Sequence, residues 1–318
     1  MLTVLFATRN RATLLKAVLE SYCQLLPPAS GWKIVVVDNG STDSTSQVLA
    51  SFAGRLPLQS AMEHKLGKNF ALNTGLQLIE GDLAVFTDDD VFPSPHWLVQ
   101  LRQAADTQVS YSIFTGVILP RWESPPPNWI SWIGDPGPVY TLTDPSLAEG
   151  PVAAHLVFGP NMAVRSNIFE SGIRFDCNIG PSGTDYPMGS ETELVVRLCR
   201  AGHKAWYTKS SPVEHFIRKE QLTQEWVLLR AIRWGRGRFR ISPDQKLLFG
   251  VPRFLFRDLP KELALMAAGR IAFRRDLLFQ ARWRFNTLRG MAIEARKMSH
   301  GSNEEMTRSH SGTGNSAL

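Results

Sequence analysis

The first ninety residues alternate between short apolar runs and stretches in which apolar positions recur with helical spacing. Runs at residues 2–7, 33–37 and 83–87 are apolar on consecutive positions, which is typical of strands buried inside a parallel sheet. Between the first two runs, Leu14, Leu15, Val18, Leu19 and Tyr22 recur at helical spacing, and segments 42–52 and 69–79 are predicted as further helices. The pattern therefore predicts an α/β domain in which strands alternate with helices.

The pattern changes in the middle of the chain. Residues 119–151 are rich in Pro, Trp and Gly, and a loop of this length inside a compact domain is usually functional. Regular elements are then predicted again, as a strand over 157–164, a helix over 191–201 and a strand over 204–207.

Beyond His215 the chain becomes basic and helical in pattern. Within 261–298, apolar residues recur at three- and four-residue steps, with Arg274 and Arg275 interrupting. The apolar positions are Leu263, Ala267, Ile271, Leu278, Ala281, Phe285, Leu288 and Ala292. We predict an α/β domain over 1–220, a basic amphipathic helical extension over 221–298, and a disordered tail over 299–318, which is rich in Ser, Gly, Thr and Asn.

The formal net charge of +6 is distributed unevenly. Residues 1–215 hold 15 Lys and Arg against 20 Asp and Glu, whereas residues 216–298 hold 19 against 7. A basic amphipathic segment is suited to an anionic membrane surface, although a solvated extension packed on the core explains it equally well. Nucleic-acid binding is disfavoured, because the α/β region is acidic and no nucleic-acid motif is present.

The cysteine content and the hydropathy of the chain indicate the cellular compartment in which the protein works. The cysteines are Cys23, Cys177 and Cys199, an odd and widely spaced set that argues against a disulfide framework. No apolar run reaches the length of a spanning helix. We expect a cytoplasmic protein that does not cross a bilayer, and peripheral attachment to the cytoplasmic face of a membrane is one of the two interpretations of its basic segment.

Three consecutive carboxylates, Asp88, Asp89 and Asp90, follow directly on the strand predicted at 83–87. Their mutual repulsion is costly unless a cation compensates, and hard divalent ions take oxygen ligands while also holding diphosphate oxygens. The run therefore indicates a metal–diphosphate site. A solvated acidic turn is the alternative, and this motif alone does not separate the two.

Polar residues also follow the other predicted strands. Asp38 and Gly40 end the second strand, and Thr8, Asn10 and Arg11 end the first, at the sheet edge where open α/β folds bind nucleotides. Asn69 and Asn73 lie in the helix predicted just before the strand that leads into the three aspartates. Ordinary helix capping would explain most of these residues as well.

The helix predicted at 191–201 opens with Glu191 and Glu193. A positioned carboxylate can deprotonate an acceptor hydroxyl, although acids also favour helix N-termini for dipole reasons alone. His215 is a candidate metal or phosphate ligand, with a structural histidine as the alternative. Trp129 and Trp132 offer flat apolar faces for a sugar ring.

Taken in order, these segments resemble glycosyltransferase family 2 over roughly residues 1–220. The corresponding pieces are Thr8-x-Asn10-Arg11, Val37-Asp38-Asn39-Gly40-Ser41-x-Asp43, Asn73-x-Gly75, Thr87-Asp88-Asp89-Asp90, Gly159 to Arg165, and Gly189-x-Glu191-Thr192-Glu193-Leu194-x-x-Arg197-Leu198.

The resemblance implies a GT-A fold, a Rossmann-like mixed sheet flanked by helices, and an inverting mechanism. It implies that Asp38 contacts the donor base, Asp88 the ribose, and Asp90 the Mg²⁺ or Mn²⁺ that bridges the diphosphate. It also places Asn161 and Glu193 on the acceptor side. Two departures weaken the match: Ser190-Glu191 replaces the family's Glu-Asp pair, and Leu72 replaces an Arg.

The sequence thus predicts an enzyme that moves a sugar from a nucleotide-diphospho-sugar to a hydroxyl acceptor, with Glu191 as the base. A lipid-linked glycan acceptor in cell-surface polysaccharide or glycolipid biosynthesis fits the basic segment. The alternatives are a nucleotidyltransferase on a related fold, disfavoured because its Gly-rich N-terminal loop is absent, and a non-catalytic nucleotide-sugar-binding membrane scaffold.

Overall fold

The computed structural model describes residues 1–183, 185–242 and 245–311, with side chains described through Ser299. The chain divides into two compact units. The first unit comprises Met1–Asn128 and Asp135–Thr223, and the second comprises Trp129–Gly134 and Gln224–Leu318.

The first unit is built on one nine-stranded mixed sheet within the described residues. Its strands are β1 (Leu2–Thr8), β2 (Trp32–Asp38), β3 (Leu58–Met62), β4 (Leu83–Phe86), β5 (Val91–Pro93), β6 (Ile113–Trp122), β7 (Gly150–Val152), β8 (Met162–Arg165) and β9 (Ala205–Ile217). The spatial order is β3-β2-β1-β4-β8-β6-β9-β5, with β7 paired to β9. Strands β3, β2, β1 and β4 run parallel, whereas β8 is antiparallel to both of its neighbours.

Seven α-helices in the described part of this unit connect and flank the strands. They are α1 (Ala12–Tyr22), α2 (Thr45–Phe52), α3 (Lys68–Leu76), α4 (Trp97–Thr107), α5 (Gly137–Tyr140), α6 (Asn167–Glu170) and α7 (Ser190–Arg200). Strands β1, β2 and β4 are buried almost throughout, because helices pack on them and leave apolar side chains no exposed face. The α/β fold prediction is confirmed.

Parallel pairing brings the carboxyl ends of β1, β2 and β4 to one edge of the sheet. Thr8 stands opposite Asp38 in the register, and Leu5 stands opposite Phe86. The segments that leave this edge are therefore those that carry the candidate residues of the sequence analysis, as ligand-binding edges of open α/β sheets do.

Some predicted boundaries differ from the structure. The strand expected over 157–164 is a helical turn at Gly159–Asn161 followed by β8, since Pro160 cannot donate to a ladder. The strand expected over 204–207 extends to Ile217 because β6 and β5 pair with its polar second half.

The second unit is largely helical. It contains α8 (Gln224–Ile241), the two-stranded hairpin β10 (Leu247–Leu248) and β11 (Val251–Pro252), α9 (Leu255–Ile271) and α10 (Arg275–Ser311). Helices α8 and α10 approach closely at Gly235, where an added Cβ would lie 1.9 Å from the carbonyl oxygen of Thr287. At the same interface, the fully buried Glu294 carboxylate bonds the guanidinium groups of Arg236 and Arg240.

The helical extension departs from its predicted pattern in two places. The amphipathic segment is broken between Ile271 and Arg275, where Phe273 adopts a positive φ. Helix α10 continues to Ser311, whereas a disordered tail is expected from Ser299; residues 312–318 lie outside the described residues. Among the described residues, no helix combines the length and apolarity that a bilayer crossing requires.

Candidate functional site

The turns after β1 and β2 are joined by side-chain hydrogen bonds. Asn10, in the left-handed region, accepts from the Thr42 N–H at 2.7 Å and donates its own N–H to Ser41 Oγ at 2.9 Å. Asp43 accepts from the N–H groups of Ala12 and Thr45, both at 3.0 Å, so its carboxylate caps two helix starts. These hydrogen bonds within the protein hold the turns at the sheet edge in place.

Asp38 and Asn39 connect the second strand to the segment that leads into α3. The buried Asp38 carboxylate accepts from the Ser41 N–H at 2.9 Å, across the turn that contains Gly40. The Asn39 amide donates to the carbonyls of Glu63 and Lys65 and accepts from the Gly67 N–H at 2.8 Å. The start of α3, and with it Lys68, is therefore held relative to Asp38.

Asp89 and Asp90 are bound by residues of the first turn. Thr8 Oγ1 donates to Asp89 Oδ2 at 2.8 Å, and Arg11 Nη1 donates to Asp89 Oδ1 at 2.6 Å and to Asp90 Oδ2 at 2.8 Å. Both carboxylates are buried. The cation compensates charges that burial would otherwise make costly.

Lys68 links the acidic run to Glu191. Its ammonium bonds Asp88 Oδ1 and lies 2.6 Å from Glu191 Oε1, and all three side chains are less than a quarter exposed. Glu191 sits in the first turn of α7 against Gly159, where an added Cβ would lie 2.5 Å from Glu191 Cδ. Gly159 therefore leaves the space that the carboxylate occupies.

His215 reaches the same cluster through strand pairing. In the antiparallel β5–β9 ladder, His215 stands opposite Val91, next to Asp90. Its Nε2 lies 3.5 Å from Asp90 Oδ1, and its Nδ1 lies 2.7 Å from the carbonyl oxygen of Tyr140. That carbonyl accepts a hydrogen bond from Nδ1–H, so Nε2 faces the Asp90 carboxylate. Burial lowers the pKa of His215, but the Asp90 carboxylate outweighs burial and raises that pKa above its ordinary value. Arg218 Nη1 lies 3.8 Å from Asp90 Oδ2.

The acids of this cluster differ in how readily they ionise. Burial raises the pKa of Asp89 to about 6, although Arg11 opposes the shift. Burial also disfavours ionised Asp90, but His215 and Arg11 outweigh it and hold the pKa of Asp90 below its usual range. Burial raises the pKa of Asp88 against the pull of Lys68. Perturbed carboxylates grouped at a sheet edge are typical of functional sites.

Three of the predicted asparagines bond to backbone groups of the fold. Asn69 donates to the carbonyls of Asp176 and Ile179, and Asn73 exchanges hydrogen bonds with the backbone of Phe175. The fully buried Asn161 accepts from the Trp97 indole and donates to the carbonyls of Val117 and Ser211. Asn69 and Asn73 thus tie residues 175–179 to α3, and Asn161 ties the turn before β8 to β6 and β9.

The remaining acceptor-side candidates have other partners. Glu193 forms a two-bond ion pair with Arg197, at 2.8 and 2.9 Å, one turn along α7. Trp129 and Trp132 belong to the second unit, where both rings pack on Phe279 of α10, with centroid distances of 5.4 and 6.3 Å. The first unit thus groups Thr8, Arg11, the three aspartates, Glu191 and His215, and the two tryptophans are not members of that group.

The side chains around Asp90 are compatible with a divalent cation whose ligands come partly from the protein and partly from a diphosphate. Among the described residues, no group of three or more His, Cys, Asp or Glu side chains is arranged as a complete metal site. Asp90 Oδ1 and His215 Nε2 are nevertheless close enough to contact one ion, since cis ligands at about 2.1 Å each lie about 3 Å apart in an octahedral site. Mg²⁺ commonly takes one or two protein ligands and fills the rest with phosphate oxygens and water.

The sequence carries little residue-level signal for several members of the cluster. Lys68 stands out only as part of a Gly-Lys-Asn segment, and neither Asn39 nor Gly159 is assigned a role by pattern alone. The bonding partners of Arg11 are likewise hidden, because each of them lies 78 or 79 residues away. A lysine that follows a glycine, shortly before the strand that leads into the three aspartates, is the one signal that could single out Lys68.

The model of the family described as Glycosyl transferase family 2 matches residues 3–161. Validoxylamine A glucosyltransferase from Streptomyces hygroscopicus subsp. jinggangensis is 32% identical over 106 residues, covering 33% of this chain and 25% of that protein. Pre-mycofactocin glycosyltransferase from Mycobacterium tuberculosis is 26% identical over 238 residues, covering 73% of this chain and 46% of that protein. The chain thus spans less than half the length of either relative.

Solved structures share the fold. Mannosyltransferase PcManGT from Pyrobaculum calidifontis, in complex with GDP-Man and Mn²⁺, superposes with a TM-score of 0.63 at 18% identity, covering 92% of this chain and 86% of that one. Residues 1–349 of S. aureus TarS in complex with UDP-GlcNAc give 0.55 at 14% identity, covering 94% and 92%. The fold is that of GT-A glycosyltransferases, as the sequence resemblance implies.

Proposed function

The chain belongs to glycosyl transferase family 2, and we propose that it transfers a sugar from a nucleotide-diphospho-sugar donor to a hydroxyl acceptor with inversion at the anomeric carbon. Two ion-pair networks carry the proposal: Arg11 bonds Asp89 and Asp90, and Lys68 bonds Asp88 and Glu191. The two networks meet at the consecutive residues 88–90. A donor site and a candidate base are thereby held in one cluster.

In this proposal the donor nucleoside lies over the carboxyl ends of β1, β2 and β4. The Asp38 carboxylate contacts the base, Asp88 contacts the ribose, and Thr8, Asn10, Gly40 and Asp89 shape the edge. Arg11 and Lys68 supply positive charge beside the diphosphate. Both cations are partly buried against acids, so they are oriented before the donor binds.

Asp90 and His215 would hold Mg²⁺ or Mn²⁺ in this scheme. The bound ion would supply electrostatic stabilisation of the nucleoside diphosphate as it leaves. A complex of PcManGT with GDP-Man and Mn²⁺ supports this part of the proposal by analogy of fold. The His215 ring is already oriented for it by the Tyr140 carbonyl.

Glu191 accepts the proton of the acceptor hydroxyl, whose oxygen forms the new bond to the anomeric carbon while the bond to the diphosphate oxygen breaks. One carboxylate oxygen of Glu191 is bonded to Lys68, and in this proposal the other oxygen accepts the proton of the hydroxyl. Asn69, Asn73 and Asn161 act as positioning residues through the backbone contacts described above.

For the acceptor we propose a chemical class and no single compound. We propose a hydroxyl on a lipid-linked glycan, as cell-surface polysaccharide or glycolipid synthesis would present, with Glu193 on the acceptor side. A cytoplasmic location is supported by three cysteines that are all free thiols. A nucleotidyltransferase is the second enzyme class, and the family match favours the glycosyltransferase over it.

A donor hydrolysis screen tests the proposal. The full chain is incubated with UDP-, GDP- and dTDP-sugars, each with and without Mn²⁺, and released nucleoside diphosphate is measured. We expect Mn²⁺-dependent release from one donor class. Release of pyrophosphate from a nucleoside triphosphate and sugar phosphate, with no sugar-nucleotide hydrolysis, would instead identify a nucleotidyltransferase.

A further inference from the structure

Helix α9 of the second unit is anchored to its neighbour along one face only. Leu255, Glu262 and Gly269 are buried and recur every seven residues, so they share one side of the helix. Glu262 pairs with Arg284 of α10 at 2.9 Å, and an added Cβ at Gly269 would lie 3.0 Å from the Leu278 nitrogen. These contacts fix which face of α9 points outward.

The outward face is apolar. Phe256, Leu263 and Ile271 are 51%, 50% and 79% exposed, and Ala267 lies between the last two. At 100° per residue these four positions fall within an arc of about 80°, opposite the anchored side, and at 1.5 Å per residue they span about 22 Å. Single exposed apolar residues are normal, but an aligned row of this length marks an interaction site.

The apolar surface continues beyond both ends of the helix. The ring of Phe249, 84% exposed at the tip of the β10–β11 hairpin, lies 6.4 Å from the ring of Phe256. Phe273 is 91% exposed in the turn that follows α9. We use the name α9 stripe for the set Phe249, Phe256, Leu263, Ala267, Ile271 and Phe273.

Basic residues border the stripe. Residues 245–276 contain seven Lys and Arg against three Asp and Glu. Among the basic ones, Arg257, Lys261 and Arg270 on α9 are exposed. Of the three acids, Glu262 is buried, and Asp258 and Asp276 are paired with Arg257 and Arg274. The charge presented around the apolar row is therefore positive.

We propose that the α9 stripe docks this protein onto a bilayer that contains anionic phospholipid, with α9 lying in the plane of the headgroups. Apolar side chains enter the acyl boundary while flanking Arg and Lys meet lipid phosphates, which is the arrangement of interfacial amphipathic helices. A second copy of the chain fits less well, because self-association through this face would bring Arg257, Lys261 and Arg270 toward the same residues of the other copy.

The stripe also differs from the amphipathic pattern read from the sequence. Leu263, Ala267 and Ile271 are exposed on α9, whereas Ala281 is fully buried within the second unit. The turn at Phe273 separates the two sets. The proposed lipid surface is therefore α9 with its flanking turns, and the apolar face of α10 serves packing.

Vesicle flotation of the full chain tests the docking surface and requires no turnover. Vesicles of phosphatidylcholine alone are compared with vesicles containing about one third phosphatidylglycerol, at low and high salt. We expect flotation with the anionic vesicles at low salt, and weakening at high salt because surface charges are screened. Absence of flotation with the anionic vesicles at low salt would overturn the proposal.

Two variants test which residues bind. Ile271→Ser with Phe273→Asn removes two of the three most exposed apolar groups of the stripe, and Asn tolerates the positive φ at 273. We expect the lipid partition coefficient to fall at least about tenfold. Lys261→Glu with Arg270→Glu reverses two charges and should lower binding to anionic vesicles by at least about tenfold, because two attractions to lipid phosphates become repulsions.

The matched control is Val109→Ser, which removes an apolar side chain that is 78% exposed in the first unit. This variant should float like the parent protein. Unchanged flotation of the stripe variant, with circular dichroism and melting temperature equal to those of the parent, would overturn the assignment. So would sedimentation data showing a lipid-free dimer that the stripe variant dissociates, because the face would then join two copies.

Discussion

The Lys68 ammonium lies 2.6 Å from the Glu191 carboxylate, and the same nitrogen bonds Asp88. One cation therefore connects the residue proposed to bind the donor ribose with the residue proposed to accept the acceptor proton. Because α3 and α7 carry the two partners, a displacement of either helix would disturb both roles at once.

Glu191→Gln tests the base. The amide keeps the shape of the side chain but cannot accept a proton, so kcat should fall by about 10²- to 10⁴-fold. Donor binding should stay close to that of the parent, measured by calorimetry with the donor that the hydrolysis screen identifies. Glu170→Gln, at an exposed acid on α6, is the matched control and should leave both quantities unchanged. Turnover near that of the parent in the Glu191→Gln variant would remove the role.

Gly159→Ala tests the placement of the same carboxylate without altering it chemically. The new Cβ would lie 2.5 Å from Glu191 Cδ, so the carboxyl group must move. Because the Cγ atom of Glu191 also lies 2.7 Å from the new Cβ and its carboxylate is paired with Lys68, we expect a loss of about 1 to 3 kcal/mol in the free energy of unfolding. We expect kcat to fall roughly tenfold or more. Gly54→Ala, with no atom within 4 Å of the added Cβ, is the control. A fall in stability with kcat unchanged would contradict this prediction.

Lys68→Met leaves Asp88 and Glu191 without their shared cation. Removing one partner of a buried pair is costly, and with side chains that are 14% to 23% exposed we expect a loss of about 2 to 4 kcal/mol in the free energy of unfolding. Urea unfolding measures the loss. Lys65→Met, at an exposed lysine three residues earlier, should cost much less. Equal stability of the two variants would show that Lys68 does not compensate these acids.

The sheet edge could be predicted from sequence, because buried parallel strands read as continuous apolar runs and their carboxyl ends must meet. The network between those ends could not. Arg11 and Asp89 are 78 residues apart, and Asp90 meets His215 only because β9 continues through polar residues to pair with β5. Strand pairing supplies that proximity, and periodicity carries no signal for it.

The helical extension shows a second limit on what the sequence pattern can predict. Its apolar spacing predicts one amphipathic face, yet the chain turns at Phe273 and divides the apolar positions between an outward row on α9 and the packing face of α10. Spacing alone cannot distinguish a buried apolar face from an exposed one. The exposed fractions of Leu263 and Ile271 in the folded chain supply that information.

Asp90→Asn tests the cation site. The amide oxygen is a weaker ligand for a hard divalent ion than a carboxylate oxygen, so Mn²⁺ should no longer strengthen donor binding. In the parent protein we expect Mn²⁺ to increase donor affinity at least tenfold, and EDTA to abolish turnover. Asp106→Asn, at an exposed acid on α4 paired with Arg102, is the control. Turnover that resists EDTA in the parent would contradict the metal assignment.

Glu294→Ala tests what holds the second unit together. Glu294 is fully buried on α10 and bonds Arg236 and Arg240 of α8, and the Arg236 side chain is itself only 5% exposed. Because the substitution removes a buried carboxylate that both guanidinium groups share, we expect unfolding to become easier by about 3 to 5 kcal/mol. Glu225→Ala, at an exposed acid on α8, should change stability by less than about 0.5 kcal/mol. Equal melting of both variants would mean that packing at Gly235, and not the ion pairs, joins the two helices.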